Sequence, residues 1–229
     1  MDISMVLAVC CVGAFFALVL GLILYGATQE KRRQRAMEVE APAAGLTYQA
    51  SDDNQPRRYS HLETFSRGSD KRASNVTSGT VGHADVCIFD YRFTTQGSKS
   101  KSINAQTVCI LRASDLDLPQ FTLRREVALV DRLVEAIEGP DIDFEEDATF
   151  SRKVVLRGES PEATKRFFTA DLRAHFLGYL DTYYSFEGRD NLFVVNCNSL
   201  VKPAKLRELL QRVGETVGLL RFASHARTC

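Results

Sequence analysis

From Ile3 to Thr28 no Asp, Glu, Lys, Arg or His interrupts the chain, and Lys31, Arg32, Arg33 and Arg35 follow almost at once. A helix rises roughly 1.5 Å per residue, so such a run exceeds the roughly 30 Å hydrocarbon core of a bilayer. A cleaved signal peptide would place its positive charge before a shorter apolar core of roughly 7–15 residues. Here the basic cluster comes after the run. The pattern predicts an uncleaved, single transmembrane helix over residues 1–30. The Lys/Arg asymmetry predicts an outer N-terminus and a cytoplasmic remainder. Lys31, Arg32, Arg33 and Arg35 would then lie against lipid headgroups, at about 1 kcal/mol per charge. Within the run, Gly13, Ala17 and Gly21 recur every four residues on one helix face, a spacing that lets two such helices pack closely as a homodimer.

The remaining chain has the size of one domain plus a linker. Over the whole chain 29 basic and 29 acidic side chains cancel, which disfavours a nucleic-acid partner. Cys87, Cys109 and Cys197 fall in apolar, strand-like runs with no C-x-x-C, so they read as small buried hydrophobes rather than disulfide or metal ligands.

Residues 31–59 are polar and aperiodic and read as a basic juxtamembrane segment and flexible linker. Residues 60–229 read as an α+β domain. In Ala84 to Thr95, Cys87, Phe89, Tyr91 and Phe93 alternate with Val86, Ile88, Asp90 and Arg92, a strand pattern. A polar loop, Gln96 to Asn104, leads to a return strand, Ala105 to Arg112, and a third strand covers Gln120 to Arg124. Helical spacing marks Glu126 to Glu138, a stretch from Ser160 to Leu180 and a last segment from Pro203. Further strands are expected at Phe150 to Arg157 and in a hairpin at Tyr183 to Cys197. The fold expected is a mostly antiparallel sheet with about three amphipathic helices packed on it.

Phe89-Asp90-Tyr91-Arg92, Gln106-Thr107-Val108, Leu118 to Arg124, Asp141-Ile142-Asp143-Phe144 and Phe150-Ser151-Arg152 with Leu156-Arg157-Gly158 carry a resemblance. Over residues 60 to 190 the chain resembles a family of uncharacterised bacterial membrane proteins with an N-terminal span and a cytosolic domain. The resemblance implies a bacterial inner-membrane location and assigns no activity.

No phosphate loop, serine-nucleophile elbow or dinucleotide fingerprint occurs, and no cofactor is expected. Hard cations want oxygen ligands, so Asp141 and Asp143 in the acidic run from Glu138 to Asp147 are the metal candidates. A solvated acidic loop, or pairing of that run with Arg124, Arg125 and Arg152, is the favoured alternative. Those three arginines could instead converge on an anion or a partner's carboxylates. The leading expectation is a non-enzymatic, membrane-anchored interaction or scaffolding domain with a protein partner. The rivals are a tethered metal-dependent hydrolase using the acidic run and a domain that binds anionic lipid headgroups.

Overall fold

The computed structural model describes residues 3–97, 100–126 and 141–226. All but Glu126 of the helix expected over Glu126–Glu138, and the loop residue Lys99, lie outside the described residues. Eight strands form one sheet in the order β1-β2-β3-β4-β8-β7-β5-β6, with every pairing antiparallel. Their ranges are β1 Thr47–Ser51, β2 Ser69–Val81, β3 Ala84–Gln96, β4 Lys101–Arg112, β5 Leu118–Arg125, β6 Val154–Gly158, β7 Tyr183–Asp190 and β8 Leu192–Cys197. The helices are α1 Ile3–Ala43, α2 Gln55–Arg58, α3 Glu63–Ser66, α4 Ala148–Lys153, α5 Pro161–Phe167, α6 Ala170–Tyr179 and α7 Leu206–Ala226.

The side-chain alternation of β3 divides the molecule into two layers. Val86 and Ile88 face the larger core, where Met37 and Ala41 of α1, Phe168, Leu172 and Phe176 around α6, and Val213, Val217 and Leu220 of α7 close over the sheet. Phe89 and Tyr91 face the other way, into a smaller core capped by Tyr59, Leu62 and Phe65 from the α2–α3 segment. Aromatic edges organise both layers: Phe65 meets Tyr91 at 5.1 Å between ring centroids, and Phe176 meets Phe186 at 4.8 Å. Such pairs add to the gain from burial alone.

The expectation of a membrane span is corrected. Among the described residues no helix is long and apolar enough to cross a membrane. The apolar run is also not a separate element ending near residue 30. It opens one 41-residue helix that continues through the basic cluster to Ala43, and its polar C-terminal part docks on the sheet. The single-pass topology, the inner-membrane location and the membrane assignment rested on that run as an independent span, and they go with it. Between Gly13 and Thr28 the described side chains are almost all exposed, among them Phe15, Phe16, Leu20 and Leu24.

Residues 31–59 hold the end of α1, edge strand β1 and the one-turn α2, each hydrogen-bonded into the fold. Where a strand was expected from Phe150, Asp147 accepts a hydrogen bond from Phe150 N and starts α4 instead. The strand begins only at Val154. The long helix expected after Ser160 is broken at Phe168, because Thr169 caps a new helix by accepting from Leu172 N.

Candidate functional site: a buried clamp and an open groove

Two constellations stand out, one on each face of the sheet. On the α1 side, Asp90 of β3 is 2% exposed and receives Arg33 of α1 in a two-pronged ion pair, Nε to Oδ2 at 2.6 Å and Nη2 to Oδ1 at 2.7 Å. Each oxygen also accepts a neutral donor, Asn75 Nδ2 at 2.8 Å and Thr107 Oγ1 at 3.0 Å. Asn75 reaches Asp90 because β2 bulges between Ser74 and Thr77, and Asn75 adopts a left-handed φ of 51°, which asparagine tolerates better than most residues. Its carbonyl oxygen accepts from the Tyr48 hydroxyl, whose pKa is raised by burial and then by Glu38, Asp90 and Glu30. Thr107 Oγ1 in turn accepts from Val201 N, tying in the loop after β8. One turn before Arg33, Glu30 pairs with Arg92 at 2.5 Å. Every valence of Asp90 is used, so this is a clamp that fixes α1 to the sheet.

On the opposite face lies a groove of about 480 Å³ that crosses β3, β4, β8, β7 and β5. Glu187 of β7 sits in its wall and accepts from Glu63 N at 2.8 Å, Thr64 N at 3.1 Å and Thr64 Oγ1 at 3.0 Å. It thereby satisfies the first amides of α3, which would otherwise lack partners. Burial raises the Glu187 pKa above its ordinary value, and the hydrogen bonds from Thr64 and Glu63 offset part of that rise. Asn196 donates to Thr64 Oγ1 and Ser185 Oγ, both at 2.8 Å, and its oxygen takes Gln106 Nε2 at 3.4 Å. Phe93, stacked on Tyr91 at 5.0 Å, forms an apolar wall. Gly68 permits the α3–β2 turn beside it: its φ is +77°, and a methyl there would lie 2.8 Å from Phe93 Cδ2 and 2.7 Å from Thr94 O.

The residues singled out from sequence scatter around these two sites. Lys31, Arg32 and Arg35 are exposed, whereas Arg33 turns inward to the clamp. Gly13, Ala17 and Gly21 lie on the exposed half of α1, with nothing within 4 Å of a methyl built on either glycine. Asp141 pairs with Arg157 at 2.9 Å and Asp143 is exposed. Glu146 and Asp147 pair with the buried Arg173, which lies over the Phe144 ring at 4.3 Å. Among the described residues no three His, Cys, Asp or Glu side chains gather to hold a metal.

The candidate anion-binding arginines do not converge either. Arg125 pairs with Asp181, Arg152 bonds Ala148 O within its own helix, and only Arg124 enters the groove. Cys87, Cys109 and Cys197 are free, and burial pushes their thiols upward, to about 11 for Cys87 and about 12 for Cys197. His175 meets Thr216 Oγ1 at 2.9 Å, and its pKa is lowered by burial, in keeping with a packing role.

No protein-family model and no curated protein matches this chain. Among solved structures, its fold is similar to the crystal structure of the mycobacterial trehalose monomycolate transport factor A. The TM-score is 0.54 at 17% sequence identity, over 83% of this chain and 93% of that one. The shared property is the fold. The sheet with its helical layer is therefore an arrangement that nature has used in at least one other chain.

Proposed function

We propose that this chain acts by binding rather than by chemistry, as an accessory or adaptor domain that holds an apolar helical arm in fixed register with a folded sheet. The observation that carries this reading is the Arg33–Asp90 clamp. A buried, two-pronged ion pair braced by Asn75 and Thr107 restrains α1 where its exposed apolar half ends. Large exposed apolar surface marks an interaction site. A rigid grip on it transmits whatever happens there to the sheet. The similar fold of a protein named a transport factor is compatible with an accessory role.

The test places a photo-crosslinking residue at Leu20 of the arm or at Lys153 at the far sheet edge, both exposed. A recurrent protein adduct from Leu20 that is absent from Lys153 supports the reading. Identical background patterns from the two positions overturn it.

A further inference from the structure

We propose that the groove is a binding site for a neutral, polyhydroxylated ligand of one or two sugar rings. This goes beyond the adaptor reading and needs only the groove.

The volume of about 480 Å³ falls within the roughly 300–1,000 Å³ typical of small-molecule sites. Its charges are already engaged. Glu187 is held by Glu63 N and Thr64, Arg67 pairs with Glu63 at 3.2 Å, and Arg124 donates to Arg125 O. An anionic ligand would lie near the Glu187 carboxylate, against its charge. Neutral acceptors are left open beside them. Gln106 Oε1, Asn104 Oδ1 and the Thr122 hydroxyl make no hydrogen bond to the described residues, while the amide nitrogens of Gln106 and Asn104 are committed to Asn196 and Thr95. Covering these atoms with an apolar ligand would strand polar groups, at a cost.

A peptide docking by strand addition is disfavoured for a separate reason. Each of the five strands crossing the groove is paired on both sides, so no backbone edge is open there. Hydroxyl groups, which donate and accept, match amide oxygens and a threonine side by side. Phe93 offers an apolar wall for the C–H face of a sugar ring.

The ligand could be a free sugar or the sugar head of an amphiphile. The test uses the full chain in a zwitterionic, sugar-free detergent that covers the apolar arm. Methyl glucoside, a non-reducing disaccharide and a short-chain alkyl glucoside below its micellar concentration are titrated, with inorganic phosphate and a neutral peptide as controls. The readouts are calorimetric affinity and the backbone amide shifts of Asn104, Gln106 and Thr122. Saturable shifts at those residues are expected for the sugars and not for the controls. Thr122→Val, which keeps its shape, and Gln106→Leu are each expected to weaken binding about tenfold, the worth of one hydrogen bond. Equal binding of free and alkyl sugars assigns a free sugar; binding of the alkyl form alone assigns an amphiphile head. Silence from all sugars, affinity unchanged in Thr122→Val, or shifts caused by phosphate or peptide alone overturns the proposal.

Discussion

Asp90 and Glu187 are both carboxylates on central strands and both nearly inaccessible, yet their surroundings have opposite character. Asp90 has a guanidinium against it and four donors in place, so nothing remains for a ligand to satisfy. Glu187 has only neutral donors, and the side chains beside it keep free valences toward an open groove. The difference separates a place built to hold from a place built to receive. A charge with its counter-charge closes a site, whereas a charge balanced by amides and hydroxyls leaves its neighbours able to bond something else.

The largest effect should come from the clamp. Asp90→Ala leaves the partly buried Arg33 without its counter-charge and strands Asn75 and Thr107, so urea unfolding of the full chain should show a loss of about 3 kcal/mol. The apolar double replacement Arg33→Met/Asp90→Leu should cost clearly less, because neither charge remains buried. A single mutant within about 1 kcal/mol of the parent, the range typical of a surface pair, would erase the contrast between the sites.

Next in size is the seam between the groove wall and the main core. A methyl on Gly188 would lie 2.2 Å from Phe121 Cε1, so Gly188→Ala should destabilise by about 1–3 kcal/mol through overpacking. Thermal unfolding reads this directly. No loss would mean that β7 shifts freely and that the adjoining Glu187 is not held in place.

Thr64→Val removes the hydroxyl that bridges Asn196 and Glu187, and should cost about 1–2 kcal/mol by leaving both short of a partner. The smallest effect is on pH dependence. The folded-state pKa of Glu187 is raised from 4.5, chiefly by burial, so the folded protein holds this proton more tightly than the unfolded chain. Its contribution is fully present below 4.5 and is lost as pH rises through the folded value. Urea midpoints of the parent and Glu187→Gln across that window should differ in slope, the variant being flatter. Parallel slopes would show that Glu187 is not the group that titrates there. Asp147, whose pKa is lowered by Phe150 N and then by Arg173, works in the opposite sense, losing its contribution as pH falls through its folded value below 3.8.

How far the sequence reveals this structure depends on the range of the contacts. The alternation of Cys87, Phe89, Tyr91 and Phe93 is local, and those residues do share one face of β3. Pairing of β3 with β4 runs on to Gln96 and Lys101, through residues whose composition suggests a polar loop. Strands β1 and β2 were hidden by Ser, Thr and Asn, which dilute the apolar alternation. A bulge in β2 then breaks what period remains. Both sites lie beyond local reading. Arg33 and Asp90 are 57 residues apart, and Glu187 finds Thr64 across 123. The acidic run does pair with arginines, but through Arg157 and Arg173. Arg173, inside an amphipathic helix, gave no warning that it turns inward. Asp147, three residues before Phe150, is a legible helix start in the sequence itself.

The uninterrupted course of α1 has a mechanical corollary. With its pivot at Arg33 and about 45 Å of helix beyond, a tilt of about 10° at the pivot would sweep the distal tip through about 8 Å. Small strains around Asp90 would thus be magnified at the tip, and a push at the tip would return to β3 as torque.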